Sequence, residues 1–291
     1  MDRPVRLDLG DCTVTLVSGG ALRLDGGAMF GIIPKPLWSR DTPADEQNRI
    51  QLACNCLLVE WRQETARRVI IETGHGPKYS PKDQAIYGID PSRWLLPALR
   101  RQDVDPATIS DVIVTHLHFD HAGGLTHEPA GLEPTFPHAR VHVQRRELED
   151  ARANFGTMRA TYRPENYQPI DATGAWEPAE GERVVVPAPR PGLPAIRVLP
   201  TPGHTRGHQS VIVEGRDRGL LFPGDVMPTR AHLGASWNMA YDLFPLDNRA
   251  SKEQVLRLAA ERDWILVIDH DPVMPVVRVV QDGDWFRLEP A

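Results

Sequence analysis

Three histidines and an aspartate lie within the six residues His116-Leu117-His118-Phe119-Asp120-His121, a density that structural histidines rarely reach. Neutral imidazoles and a carboxylate are the donors that borderline divalent cations prefer, Zn2+ foremost and Mn2+, Co2+ or Fe2+ as alternatives. Gly123-Gly124 follows, so the chain can turn sharply and aim these side chains inward. One such loop cannot enclose two metals. Further donors come later in the chain: His204 in Thr201-Pro202-Gly203-His204, Asp225 in Phe222-Pro223-Gly224-Asp225, and His270 after the apolar run 264–268.

Those donors need elements to carry them. Runs rich in Val, Ile and Leu that stop at Gly, Pro or Asp predict strands at 12–17, 55–61, 68–72, 112–115, 140–144, 183–186, 196–199, 209–213, 219–222 and 264–268. Each donor group falls just past the end of one of them, where α/β sheets gather their sites. Helices are predicted at 92–102 with a Ser92 cap, at 144–153 as a polar and superficial helix, and at 251–261, where Ser251 and Gln254 form a capping box. No repeat, charge block or low-complexity linker divides the chain, so one domain over 1–291 is expected.

The series His116-x-His118-x-Asp120-His121, then His204, Asp225 and His270, resembles the metallo-β-lactamase superfamily across nearly the whole chain. That resemblance implies an α/β fold, the αββα four-layer sandwich. It also implies a dinuclear centre in which His116, His118 and His204 hold one metal, Asp120, His121 and His270 hold the other, and Asp225 bridges them. The flanking segments GGAMFGIIPKPLWSR (26–40), THLHFDHAGGLT (115–126), DVMPTRAH (225–232) and WNMAYDLFP (237–245) are similar to the YtnP-type quorum-quenching lactonase branch. Two positions depart from the family pattern. Glu72 stands where an Asp commonly precedes Thr-Gly, and Pro228 stands where some acyl-homoserine lactonases carry a tyrosine.

Composition narrows the partners. Hydrophobic residues at 41% allow a large core, while a net charge of -6 argues against a nucleic-acid partner, which needs a basic face. The charged N-terminal segment lacks the apolar stretch of a signal peptide and no run is long enough to span a bilayer, so neither a membrane partner nor export is expected and the cytoplasm is the expected location. Cys12, Cys54 and Cys56 read as reduced thiols; Cys54 and Cys56 could be soft-metal donors but fit better as small buried side chains.

Two stretches, 19–45 and 227–245, are too apolar for solvated loops. Either they fold back as core or they wall a pocket or a subunit contact, the last making the chain a homodimer. Met227, Trp237, Met239 and Tyr241, with Met29 and Phe30, are the expected apolar wall, and His232 either touches substrate or packs. Tyr162, Tyr167 and Tyr241 are candidate hydrogen-bond donors to substrate. His208 is expected to brace the His204 loop, and Asp269 or Asp271 to orient the His270 ring.

Two divalent ions bridged by Asp225 would share a water and lower its pKa enough to supply hydroxide near neutrality. Attack on a substrate carbonyl follows, with Asp120 passing a proton to the departing alkoxide. A lactone resembling an acyl-homoserine lactone, or a related small ester, is the expected substrate. Organophosphate triester hydrolysis is the alternative enzyme reading, and a metal-binding or interaction protein the non-enzymatic one.

Overall fold

Valine, isoleucine and leucine occupy both faces of most strands, so each sheet must be covered on two sides. The computed structural model describes residues 5–61, 64–157, 160–190 and 193–291; the first four residues of the charged N-terminal segment lie outside these. Strands β1 (Arg6–Asp8), β2 (Cys12–Asp25), β3 (Arg49–Trp61), β4 (Glu64–Ile71) and β5 (Ile109–Ile113) are followed by a short ribbon, β6 (Thr126–His127) and β7 (Glu133–Pro134), and then by β8 (Arg140–Gln144) and β9 (Trp176–Ala179). Without the ribbon they form one mixed sheet in the order β1-β2-β3-β4-β5-β8-β9, antiparallel as far as β4 and parallel from there on.

The second sheet runs in chain order from β10 (Arg183–Val186) through β11 (Ile196–Pro200), β12 (Gln209–Glu214), β13 (Gly219–Phe222), β14 (Ile265–Val267) and β15 (Val276–Asp282) to β16 (Trp285–Pro290). Its β13–β14 pair is parallel, which demands a crossover that a helix at 245–261 provides.

Alternation along each strand sorts side chains into layers. Val59, Val69, Ile71 and Ile113 meet Val211, Val213, Leu220 and Phe222 between the sheets. Ile70 and Val112 point the other way, onto Leu95, Leu99 and Leu148 of the helices outside the first sheet. Ile212 and Leu221 face Val255, Leu256 and Ala259 outside the second. The result is the αββα sandwich with flanking helices.

The predicted strands at 140–144, 183–186 and 219–222 have the observed bounds, whereas β2 and β3 run much longer than the predicted 12–17 and 55–61. The C-terminal hairpin β15–β16 and strand β9 were not foreseen. The helices, in chain order, are α1 (Gly26–Phe30), α2 (Lys35–Trp38), α3 (Pro81–Tyr87), α4 (Leu95–Arg100), α5 (Phe119–Ala122), α6 (Arg145–Ala153), α7 (Pro164–Thr173) and α8 (Pro245–Glu261).

Three helix expectations change. Ser92 does not cap α4; it donates through its backbone N–H and hydroxyl to Asp90, and Pro97 is tolerated in the helix's first turn, where no N–H partner is needed. α8 starts six residues earlier than Ser251, at Pro245, whose fixed φ suits a first helical position. Ser251 is then interior, and its hydroxyl donates to the Pro202 carbonyl at 2.7 Å. α6 is not superficial throughout, since Glu147 and Asp150 are buried.

A bulge at Gly19-Gly20 in β2 meets the chain leaving β4. Gly74 has φ 68°, and a Cβ there would stand 2.2 Å from the Gly19 carbonyl oxygen. Both backbone conformation and space exclude a side chain. Gly74→Ala is expected to destabilise the fold by about 2 kcal/mol or more. Denaturant unfolding checks this; an unchanged midpoint would mean that the two segments do not approach so closely.

Candidate metal centre

Every donor foreseen in the sequence reaches one edge of the sandwich. His116 follows β5, His204 follows β11, Asp225 follows β13 and His270 follows β14, while His118 caps α5 and Asp120 and His121 lie within it. All seven side chains are at least nine-tenths buried. Cross-links hold the edge together. The Gln209 backbone N–H donates to the Thr115 carbonyl and its side-chain amide to that of Val114, tying the second sheet to the strand that launches the histidine loop.

The donors form two groups that share Asp225. In the first, Nε2 of His204 lies 3.0 Å from Nδ1 of His118 and 3.2 Å from Oδ2 of Asp225, and Nε2 of His116 lies 4.0 Å from that same oxygen. In the second, Nε2 of His270 lies 3.2 Å from Nε2 of His121 and 3.1 Å from Oδ1 of Asp225; Asp120 oxygens lie 3.7 and 3.8 Å from the two rings. Asp225 thus turns one oxygen to each group. Donors bound at ~2.0–2.1 Å around a tetrahedral ion stand roughly 3.3 Å apart, so these spacings fit metal ions.

The far sides of the rings fix which nitrogen is available. Nδ1–H of His204 donates to Asp242 Oδ1 at 2.9 Å, and Nδ1–H of His270 to the Ala53 carbonyl at 2.7 Å. Nδ1 of His121 faces Asp269 Oδ2 at 3.1 Å and Glu72 Oε2 at 3.5 Å. Each Nε2 is left with its lone pair pointing into the cluster. Buried atoms without a protein hydrogen bond gather here as well: Nε2 of His116 and Oδ1 of Asp225. Unpaired acceptors aimed at one another in a buried space are the signature of a cation site.

Electrostatics agree. Burial alone would raise the Asp225 pKa, yet the rings of His270, His121 and His204 outweigh it and hold the carboxyl well below its usual range. Burial likewise opposes charge on His270 and His121, but Asp225 and the neighbouring carboxylates push both well above the ordinary histidine value. Burial and the adjacent imidazoles keep His116 and His118 well below it. The site holds positive charge, and protons compete with metal for it.

Residues 49–270 match the metallo-beta-lactamase superfamily. The chain belongs to that superfamily. It is similar to an N-acyl homoserine lactonase of Bacillus cereus, 26% identical over 60% of this chain and 64% of that enzyme's length. The chain therefore spans less than two-thirds of that relative, and 40% of a related Bacillus lactonase that is 34% identical where they match. A probable metal-dependent hydrolase from Staphylococcus aureus is 30% identical over 98% of this chain and 99% of that one, with a TM-score of 0.84. AidC, a dizinc quorum-quenching lactonase, shares the fold with a TM-score of 0.78 at 16% identity, covering 99% and 97% of the two chains. This superfamily member carries histidine-rich groups of side chains placed as metal ligands would be.

A cavity of about 160 Å³ opens directly over the donors, with His118, Asp120, His204, Asp225 and His270 in its floor. Of the expected wall, Met29, Met239 and Tyr241 line it. Phe30, Met227, His232 and Trp237 do not. Met227 is in the core beneath α8, and His232 is fully buried, stacked on Phe30 at 4.8 Å, with Trp237 edge-on to the same ring. These residues back the wall. Leu24, Tyr87, Phe119, Ala160 and Thr161 complete the lining and were not anticipated; Phe119, inside the histidine motif, is the one that position alone could have suggested.

Other expectations also resolve. His208 accepts the Asp225 backbone N–H at 3.1 Å and so braces the Asp225 loop, while its Nδ1 meets Thr201. Asp269 serves His121 instead of His270, and Asp271 pairs with Arg230. Glu72 spans from the Thr115 N–H, at 2.7 Å, to His121. Tyr162 and Tyr167 are committed elsewhere, to Glu147 and the Ala151 carbonyl. Cys54 is fully buried with its thiol pushed up to about 11 by burial, so it offers no thiolate at neutral pH. Glu147 was missed altogether: it accepts from the Leu117 N–H and the hydroxyls of Thr205 and Tyr162, clamping the histidine loop to the His204 loop.

Asp242 orients His204 through Oδ1 while Oδ2 accepts from the Met239 N–H at 3.1 Å and Asn248 at 2.9 Å. Asp242→Ala is expected to weaken metal affinity by about 10–100-fold. A chelator-competition titration reads this out, and an affinity within twofold of the parent would remove Asp242 from the metal centre.

Proposed function

We propose that this chain is a dinuclear hydrolase that opens a lactone, or a related small ester, with an apolar substituent. The observation that carries the reading is the coincidence of a cavity walled by Leu24, Met29, Phe119 and Met239 with a floor of converging imidazoles and carboxylates. An apolar group is recognised a few ångströms from the place where hydrolysis would occur. The similarity to N-acyl homoserine lactonases favours a cyclic ester, and the flanking segments quoted above favour the quorum-quenching lactonase branch.

In this reading His116, His118 and His204 hold one ion, Asp120, His121 and His270 the other, and Asp225 bridges. Two divalent ions bound there would supply Lewis acidity and ionise water near neutral pH, with Zn2+ the first choice. The chain's own groups do the rest. Asp120 lines the cavity and faces His121 and His270, so it is placed to take the proton released by the attacking water and hand it to the leaving oxygen. Tyr241 also lines the cavity, and burial pushes its phenol up to about 12, which keeps it a hydrogen-bond donor at neutral pH. The narrow apolar wall limits water around the substrate.

Asp225→Ala is expected to lower kcat at least about a hundredfold, roughly 2.7 kcal/mol of transition-state stabilisation. Metal analysis should find two ions per chain in the parent, and chelation should abolish turnover until Zn2+, Mn2+ or Co2+ is restored. Near-normal turnover in Asp225→Ala with two ions bound would falsify the bridging role. Substrate class is tested by a lactone series run beside a phosphotriester on the same reconstituted enzyme; preference for the triester would replace the lactonase reading. Met239→Ala and Tyr241→Ala should reduce kcat/KM on long acyl chains more than on short ones, whereas equal losses would assign them to folding.

A further inference from the structure

Besides Ser251, helix α8 carries two buried polar side chains one turn apart, Asn248 and Lys252, each about 1% exposed. Asn248 reaches Asp242 and through it the metal-binding His204. Lys252 reaches a different place. Its ammonium donates to the carbonyls of His232, Gly234 and Trp237 at 3.0, 3.1 and 2.8 Å, with the Asn238 side-chain oxygen at 3.2 Å. No carboxylate lies within ion-pair distance of it among the described residues. An ammonium buried without a carboxylate is costly, and burial lowers its pKa to about 8, with Asp242 opposing the shift.

What holds the cation is therefore the backbone of the apolar loop, and the loop in turn carries the cavity wall. Nε2–H of His232 donates to the Met29 carbonyl at 2.8 Å, and its ring stacks on Phe30. The Ala240 N–H donates to the Ala28 carbonyl at 2.8 Å. Met29 and Met239, which line the cavity, are thus attached to the segments that Lys252 gathers.

We propose that Lys252 is a positioning residue for substrate selectivity: it sets the apolar wall through the 232–238 backbone and leaves the metal centre to Asn248 and Asp242. This rests on the reading of that cavity as the substrate site. A cavity of about 310 Å³ bounded by Leu233, Gly234, Arg249, Glu253 and Trp285 reaches Lys252 and shares no lining residue with the cavity over the donors. Truncation to alanine therefore leaves a gap that a small cation can enter from solvent.

The test compares Lys252→Met and Lys252→Ala with the parent on lactones of short and long acyl chain. Both variants should keep the parent's metal content and lose at least tenfold in kcat/KM on the long chain but under threefold on the short one. Propylammonium, the fragment missing from Lys252→Ala, should restore the long-chain loss, and propanol should not. Uniform loss on all chains, loss of metal, or equal rescue by propanol would overturn the proposal. A crystal structure of Lys252→Met reads wall position without activity: an undisplaced Met29 and Met239 also overturns it. A parent enzyme indifferent to chain length would instead remove the substrate-site reading and leave the structural test standing. Should Lys252→Met be insoluble, Lys252→Gln, which keeps two donors, serves the same comparison.

Discussion

A carboxylate buried among imidazoles that all point lone pairs inward is stable only if positive charge sits between them. Asp225 is that carboxylate, with Oδ2 toward His204 and Oδ1 toward His270. Protons can supply the charge in part, as the upward push on the pKa values of His121 and His270 indicates, but two Nε2 atoms 3.2 Å apart cannot both carry a proton at low cost. Divalent ions meet the requirement with better geometry. The demand for charge explains why so much polar structure is buried at this edge, against the general rule for interiors.

Around this demand the sandwich acts as a jig. Each donor leaves a strand whose two faces are locked in different apolar layers, so the strand ends cannot drift. Behind the donors, Glu147, His208, Asp242 and Asp269 each contact one donor or its loop and a second element. Asp242 and Asp269 face donor rings and set their orientation, Glu147 and His208 hold the loops, and together they make the site a property of the assembled sheets instead of one loop.

The segment between β13 and α8 joins two tasks that could have been separate. Asp242 orients His204 and accepts the N–H of Met239, a residue of the cavity wall. The donor cluster and the cavity wall are consequently joined through one carboxylate at this point. Its apolar residues divide by direction: Met239 and Tyr241 face the cavity, while Met227 and His232 are packed behind it.

The candidate metal donors were legible in the sequence because donor density and placement after strands are local properties. Runs rich in Val, Ile and Leu gave most strands for the same reason, and the Gly, Pro or Asp after them marked where donors emerge. What required the tertiary structure was everything set by distant partners. Glu147 looks like one charge on a polar helix until Leu117, Thr205 and Tyr162 close around it. Ser251 has the pattern of a cap, yet Pro245 starts α8 and Pro202 takes the hydroxyl. An apolar loop announces that it will be buried, but which of its residues meet the cavity depends on which face the opposing α1 segment covers, as Phe30 does for His232. Sequence by itself determined which atoms can bind metal; only the packing of two sheets and their loops decided how those atoms converge and what stands beside them, because side-chain direction in a loop is set by contacts from outside it.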